Sequence, residues 1–165
     1  MTIQLPSELT TALSIIGFDW PDADEDKING MGQAWSTFAG TLKGLVDDAD
    51  RHAQAVWTGN AGAAIEAFQK SWTGPSAPMT NLRDAVEAAS LIAIGLSTMA
   101  KIVVALKVKF LAELAAFART LYVAAMAAKT PWTAIGAAAA VIIHKIIVTQ
   151  ALNLAMELAI KALTE

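Results

Sequence analysis

Apolar residues along this chain recur at three- and four-residue spacing almost throughout, and no stretch alternates as a strand would. Leu9, Ala12, Leu13 and Ile16 predict a short amphipathic helix that begins after Pro6 and Ser7 and stops at Gly17. A long helix is predicted from the proline and carboxylates of Trp20-Pro21-Asp22-Ala23-Asp24-Glu25-Asp26, residue types suited to a first helical turn and to the helix dipole. Its seam reads Ile28, Met31, Trp35, Phe38, Leu42, Leu45, Ala49, His52 and Val56, stepping by threes and fours as in a coiled coil. Continuous from Pro21 to Trp57, that helix would be about 55 Å long and would need a long antiparallel neighbour.

Trp57-Thr58-Gly59-Asn60 then interrupts the pattern, and Ala64, Ile65, Phe68 and Trp72 restart it as the second arm of a hairpin. The sharpest break is Thr73-Gly74-Pro75-Ser76-Ala77-Pro78. A second long helix follows to about Ala128, with Leu82, Val86, Ala89, Phe110, Leu114 and Phe117 among its apolar positions. Lys129-Thr130-Pro131-Trp132 turns the chain into a last, strongly apolar helix. The predicted fold class is all-α: an elongated antiparallel helical bundle built on a helical hairpin with additional long apolar helices. A single domain over 1–165 is expected, in which 1–74 holds the first helix and the hairpin. Residues 79–165 form an apolar helical hairpin that packs on it or on a partner.

Composition removes most catalytic classes. The chain has 165 residues, 55% of them hydrophobic, enough for a core without staples, and it has no cysteine. His52 and His144 are the only imidazoles, too few for a zinc site or a histidine-based triad. No nucleophile–base pair, phosphate-cradling loop or dinucleotide fingerprint is present, so a non-catalytic chain without metal or cofactor is expected. His52 on the seam reads as a satisfied core or edge histidine or as a pH switch, and His144 as a rim residue. The cluster Asp22, Asp24, Glu25 and Asp26 lacks the spacing of a calcium loop and reads as helix-start electrostatics. Asp47, Asp48 and Asp50 read as a solvated face or a partner surface.

Charge is uneven: 12 acidic and 5 basic residues precede Ala88, and 3 acidic and 7 basic follow from there. This polarity suits docking of the halves on each other or on a charged partner. The basic residues are too dispersed for nucleic acid. No secretory signal peptide is expected, because residues 1–20 contain no Lys or Arg. The apolar runs Thr130 to Ile143 and Ala88 to Ala100 span 14 and 13 residues. Both fall short of the roughly 18 to 20 needed to cross a bilayer, so buried core helices are expected.

Of the five tryptophans, Trp35 and Trp72 read as core anchors. Trp20, Trp57 and Trp132 fall near predicted helix ends, where an indole can be offered to another chain. The long helix, Trp57-Thr58-Gly59 and the following Ala64-Ile65-Glu66-Ala67-Phe68-Gln69-Lys70-Ser71-Trp72 resemble the WxG-motif proteins exported by bacterial type VII (ESX) secretion. With the opening Phe18-Asp19-Trp20-Pro21-Asp22-Ala23-Asp24-Glu25-Asp26, the chain is similar to amino-terminal domains of actinobacterial polymorphic toxins, the mycobacterial channel protein with necrotizing toxin among them. The likeness is strongest from Phe18 to Gly74.

The resemblance implies a non-catalytic export and partner-binding domain, secreted or held at the cell envelope by a signal-peptide-independent route. Toxic activity would lie in a separate downstream domain, absent by nature or removed here, where the sequence stops at Thr164-Glu165. Trp57 and Gly59, with Trp20 and Trp72, are the candidate secretion and partner motif. The implied partners are the type VII machinery and a small helical-hairpin WxG-type protein or a second copy. A membrane is the partner in an alternative reading, where the apolar helices after Leu91 insert or form a channel. The family's companion signal, a tyrosine followed four positions later by Asp or Glu, is missing: Tyr122 is followed by Met126. A complete signal would need a second polypeptide.

Overall fold

The computed structural model describes residues 2–164. It is an all-α helical bundle, as the pattern predicts. A 3-10 turn, Ser7–Leu9, leads into α1 (Thr10–Ile16), followed by α2 (Glu25–Gly59), α3 (Ala63–Thr73), α4 (Pro78–Ala127) and α5 (Pro131–Thr164). Among the described residues there is no strand.

Local chemistry sets most helix ends. Gly17 closes α1 at φ 85°, and its N–H donates to the Leu13 carbonyl at 3.0 Å, a left-handed stop that glycine adopts without steric cost. Pro78 and Pro131 open α4 and α5, where a missing N–H costs nothing. Before α5, Thr130 and Thr133 exchange side-chain-to-backbone hydrogen bonds of 3.0 and 3.3 Å, a reciprocal cap.

The start of α2 differs from the sequence expectation: Pro21 lies outside the helix, which begins at Glu25. Tertiary contacts hold the intervening segment. The Phe18 and Trp20 rings stand edge-on to Phe110, with centroids 6.0 and 6.2 Å away, and the Ala23 carbonyl accepts a hydrogen bond from Lys107.

The chain forms two compact units, Met1–Asp26 with Met99–Glu165, and Lys27–Thr98. In the first, the amino-terminal segment is grouped with the second half of the chain. Ala12, Leu13 and Ile16 of α1 pack in one core with Phe110, Leu114 and Phe117 of α4 and Val148 and Leu152 of α5. Helices α4 and α5 run antiparallel there, Thr120 meeting His144 at 2.5 Å. His144, expected at a rim, is half-buried, its ring edge-on to Phe117.

The second unit joins α2, α3 and the beginning of α4. An added Cβ on Gly32 would stand 3.2 Å from the Ala93 carbonyl and 3.0 Å from the Ser97 hydroxyl, while Asp50 bonds Arg83 at 2.8 Å. Rising numbers on α2 thus meet falling numbers on α4, and the pair is antiparallel.

The buried seam of α2 is not the one its large side chains suggest. Gly32, Ala39, Val46 and Ala53, seven apart, are buried, whereas Met31, Phe38 and Leu45 are 53%, 51% and 63% exposed. His52 is exposed as well. Small side chains allow the backbones of α2 and α4 to approach closely, so the contact forms on the small-residue row. Of the expected seam, Ile28, Leu42 and Ala49 are half-buried at its flank.

The expectation that the late apolar helices are covered on most sides is also overturned. In α5 the buried residues are Ala137, Val148 and Leu152, and Trp132, Ile135, Ile142, Ile146 and Leu158 are exposed. Two stretches, Ala63–Ala127 (α3 and α4) and Pro131–Thr164, contain windows long and apolar enough to cross a membrane, with mean hydropathy 2.0 and 1.8 and only 22% and 11% of the window buried. Single lysines such as Lys101 and Lys145 bound the strictly apolar runs but barely lower the average over a longer window.

Candidate functional site

Trp57, Thr58 and Gly59 form the last turn of α2 rather than the connection itself. The Thr58 hydroxyl donates to the Gln54 carbonyl and the Asn60 amide to the Val56 carbonyl, each at 2.8 Å. The second bond satisfies one of the four last carbonyls, which the helix end leaves open; the first bonds back to a carbonyl already inside the helix ladder. The tip is Asn60-Ala61-Gly62, and the strained position is Gly62, with φ 122° and ψ 165°. Its carbonyl accepts the N–H groups of Ile65 and Glu66 and so starts α3. The expectation that Trp57-Thr58-Gly59 is itself the turn is therefore corrected: Gly62 bends the chain. Gly59 has no positive φ, and a Cβ added to it would meet nothing within 4 Å.

From this end α3 folds back along α2. The Trp57 ring lies 5.8 Å from Phe68, and Phe68 lies 5.7 Å from Trp72. Trp72 donates its indole N–H to Asp50 at 3.0 Å, and Arg83 of α4 binds the other carboxylate oxygen at 2.8 Å. One carboxylate on α2 thus ties α3 and α4, and a three-ring ladder ends at Trp57 in the last helical turn of α2. The three rings are half-buried.

Asp50, read from sequence as a member of a solvated acidic run, is the polar anchor of this ladder. A signal for it was available: Asp50 precedes Trp57 by one heptad and shares its side of α2. Trp20 lies in the other compact unit. There it packs on Phe110, and the Lys107 ammonium stands 6.0 Å from its ring centre, at the outer range of a cation–π contact. Trp20 is a half-buried packing residue of that unit.

Sequence reasoning missed a second polar constellation. Lys107 and Glu25 form an ion pair at 2.7 Å with side chains only 1% and 5% exposed. Lys107 also donates to the carbonyls of Ile3 at 3.0 Å and Ala23 at 2.7 Å, so all three of its donors are used. The Ile3 N–H donates to the other Glu25 oxygen, and the Thr2 hydroxyl donates to Asp24 at 2.7 Å. Burial alone would raise the Glu25 carboxyl, but the Ile3 N–H and the Lys107 ammonium outweigh it and hold it below the ordinary 4.5. Every group in this cluster is occupied by another, which is the signature of a structural clasp.

Neither constellation offers a nucleophile beside a base, and among the described residues no three histidine or acidic groups come close enough to hold a metal ion. What converges at the hairpin end is aromatic surface, Trp57, Phe68 and Trp72. A model of the WXG100-like domain matches residues 3–151. The chain belongs to the WXG100-like domain family. Among curated proteins and among solved structures, no significant match was found. The WXG100-like match takes in both compact units, from the clasped amino-terminal segment into α5. WXG100-like domains are helical, non-enzymatic proteins of type VII secretion. They typically self-associate or pair with other WxG proteins, and membership implies type VII, signal-peptide-independent secretion.

Proposed function

We propose that this WXG100-like domain is the secretion-targeting and partner-binding amino-terminal domain of a type VII effector, akin to those of actinobacterial polymorphic toxins, with toxic activity in a separate downstream domain. The observation that carries the reading is the end of the α2–α3 hairpin. A ladder of Trp57, Phe68 and Trp72 is fixed by Asp50, and beside it Gly59 leaves backbone open to an incoming chain. Binding surfaces gain from such preorganisation, since the rings need not be ordered on contact. Tyr122 is exposed but has Met126 where an acidic companion would stand, so residues 1–165 do not themselves carry the second half of a composite signal.

Export of Trp57→Ala and Gly59→Ala, with helicity checked by circular dichroism, tests this role. Both are expected to abolish secretion while the protein accumulates folded inside the cell. Normal export of the two variants would remove the motif from the mechanism.

A membrane-active module is the second reading, supported by the two long apolar windows that leave most of their surface uncovered. Exposed apolar area of that extent favours association with another apolar phase. Permeabilisation of lipid vesicles at neutral and acidic pH is expected on this reading. Intact vesicles under both conditions would refute it.

A further inference from the structure

We propose that the cleft between α4 and α5, on the turn side of Thr120, binds a single-chain anionic amphiphile: a carboxylate with an unbranched alkyl tail, its head paired with Arg119. The cleft lies within one compact unit, whereas Trp57 and Gly59 belong to the other, so this site is independent of the secretion motif. Its walls are apolar: Val123, Ala124 and Ala127 of α4 face Ala137 and Ala140 of α5 across about 320 Å³ of space. The two helices touch at Thr120 and His144, and beyond that contact alanine side chains are too short to close the gap. From Arg119 to Ala127 helix α4 rises about 12 Å, comparable to the tail of decanoate. A space of this volume suits one alkyl chain and not the two of a phospholipid.

Charge selects the head group. Arg119 and Thr120 supply the polar part of the lining. From Leu114 to Met156 the chain has no acidic residue, while Arg119, Lys129 and Lys145 all fall in that stretch, on the two helices and the turn that frame the cleft. None of the three cations has an ion pair among the described residues. Unbalanced positive charge beside a low-dielectric wall draws anions. A carboxylate meets a guanidinium with two parallel hydrogen bonds, and an alkyl tail behind it covers the alanine wall.

A second cleft along the α4–α5 pair supplies the contrast. It has a similar volume, about 350 Å³, and is walled by Leu106, Leu154 and Leu158, but its cation, Lys109, is bound to Glu113 at 2.6 Å. There the chain provides its own carboxylate. At Arg119 the ligand provides it.

Isothermal titration calorimetry on the full chain tests the site, with decanoate and decyltrimethylammonium, which share a tail and differ in the sign of the head, both below their micelle concentrations. Decanoate is expected to bind saturably at one site with a dissociation constant of about 0.1 mM, in keeping with a ligand of its size, and the cationic surfactant at least about tenfold more weakly. Arg119 is exposed, so Arg119→Gln should keep the fold, checked by circular dichroism, and should erase the preference between the two heads. Ala140→Phe, at the exposed rim, should fill the cleft and abolish decanoate binding, whereas Ala155→Phe in the second cleft should leave it unchanged.

Three results would each overturn the proposal: no saturable binding at about 1 mM decanoate, tenfold above the expected constant; equal affinity for the two surfactants; or decanoate affinity untouched by Arg119→Gln.

Discussion

Replacing Lys107 by methionine removes a cation that satisfies three buried acceptors at once, and the consequence can be worked out from the contacts. The carbonyls of Ile3 and Ala23 lose their 3.0 and 2.7 Å partners, each loss worth about 1–3 kcal/mol if the group stays dry. Glu25 keeps the Ile3 N–H and its own backbone N–H against a burial that disfavours its charge, and breaking one side of a buried pair costs roughly 3–5 kcal/mol. These costs are not additive, because the amino-terminal segment can detach and rehydrate all three groups. Detachment then gives up the half-buried Ile3 and Leu5, at about 1–2 kcal/mol each.

The expected loss is therefore about 3–5 kcal/mol, concentrated in the residues before α2. Amide hydrogen exchange is the suitable assay: peptides covering residues 2–24 should exchange about 100-fold faster or more, with peptides from α3 unchanged. Acceleration of less than about threefold would refute the clasp, since it would mean that water already reaches these groups. The double variant Glu25→Gln/Lys107→Met should recover part of the loss by removing the stranded charge.

The pH dependence has a definite sign. Because Glu25 is held below 4.5 in the folded protein, its contribution is fully present above that value and disappears as pH falls through the folded value. The stability difference between the natural chain and Glu25→Gln, followed from about pH 6 to about pH 3, should shrink toward zero at the acidic end. Gly62→Ala should cost about 1–3 kcal/mol in urea unfolding, because φ 122° with ψ 165° is a glycine region. Gly59→Ala, with open space at its Cβ position, should change stability by less than about 1 kcal/mol, so an export defect there would report recognition and not misfolding. Gly32→Leu should cost about 1–3 kcal/mol through overpacking against the Ala93 carbonyl.

Much of the fold could be read from residues that act locally. Gly17, Pro78 and Pro131 mark helix boundaries because their effect needs no distant partner. The errors fall where distant residues decide. Pro21 suits a helix start, yet Phe110 and Lys107, far along the chain, hold residues 18–24 outside the helix. The seam of α2 was misplaced by following bulk: Met31, Phe38 and Leu45 outweigh Gly32, Ala39 and Ala53 in any hydrophobic pattern, although closeness of approach selects the smaller set. Lys107 was legible in principle, since it stands three residues before Phe110 on the row that continues through Leu114 and Phe117. Its partner was hidden among four clustered carboxylates, of which Glu25 alone is buried.

The clasp also sets an order of events at the ribosome. Its hydrogen bond from Lys107 to Ile3 closes a separation of 104 residues, and the core it seals waits for Val148 and Leu152. Residues 27–98, by contrast, are contiguous and can collapse as soon as they emerge. At synthesis rates of about 5–20 residues per second, the first residues remain uncovered for some 6–25 seconds after α2 begins to appear. During that interval α1 presents Leu13 and Ile16 without their cover, a window in which a chaperone or an export factor meets a surface that the finished protein conceals.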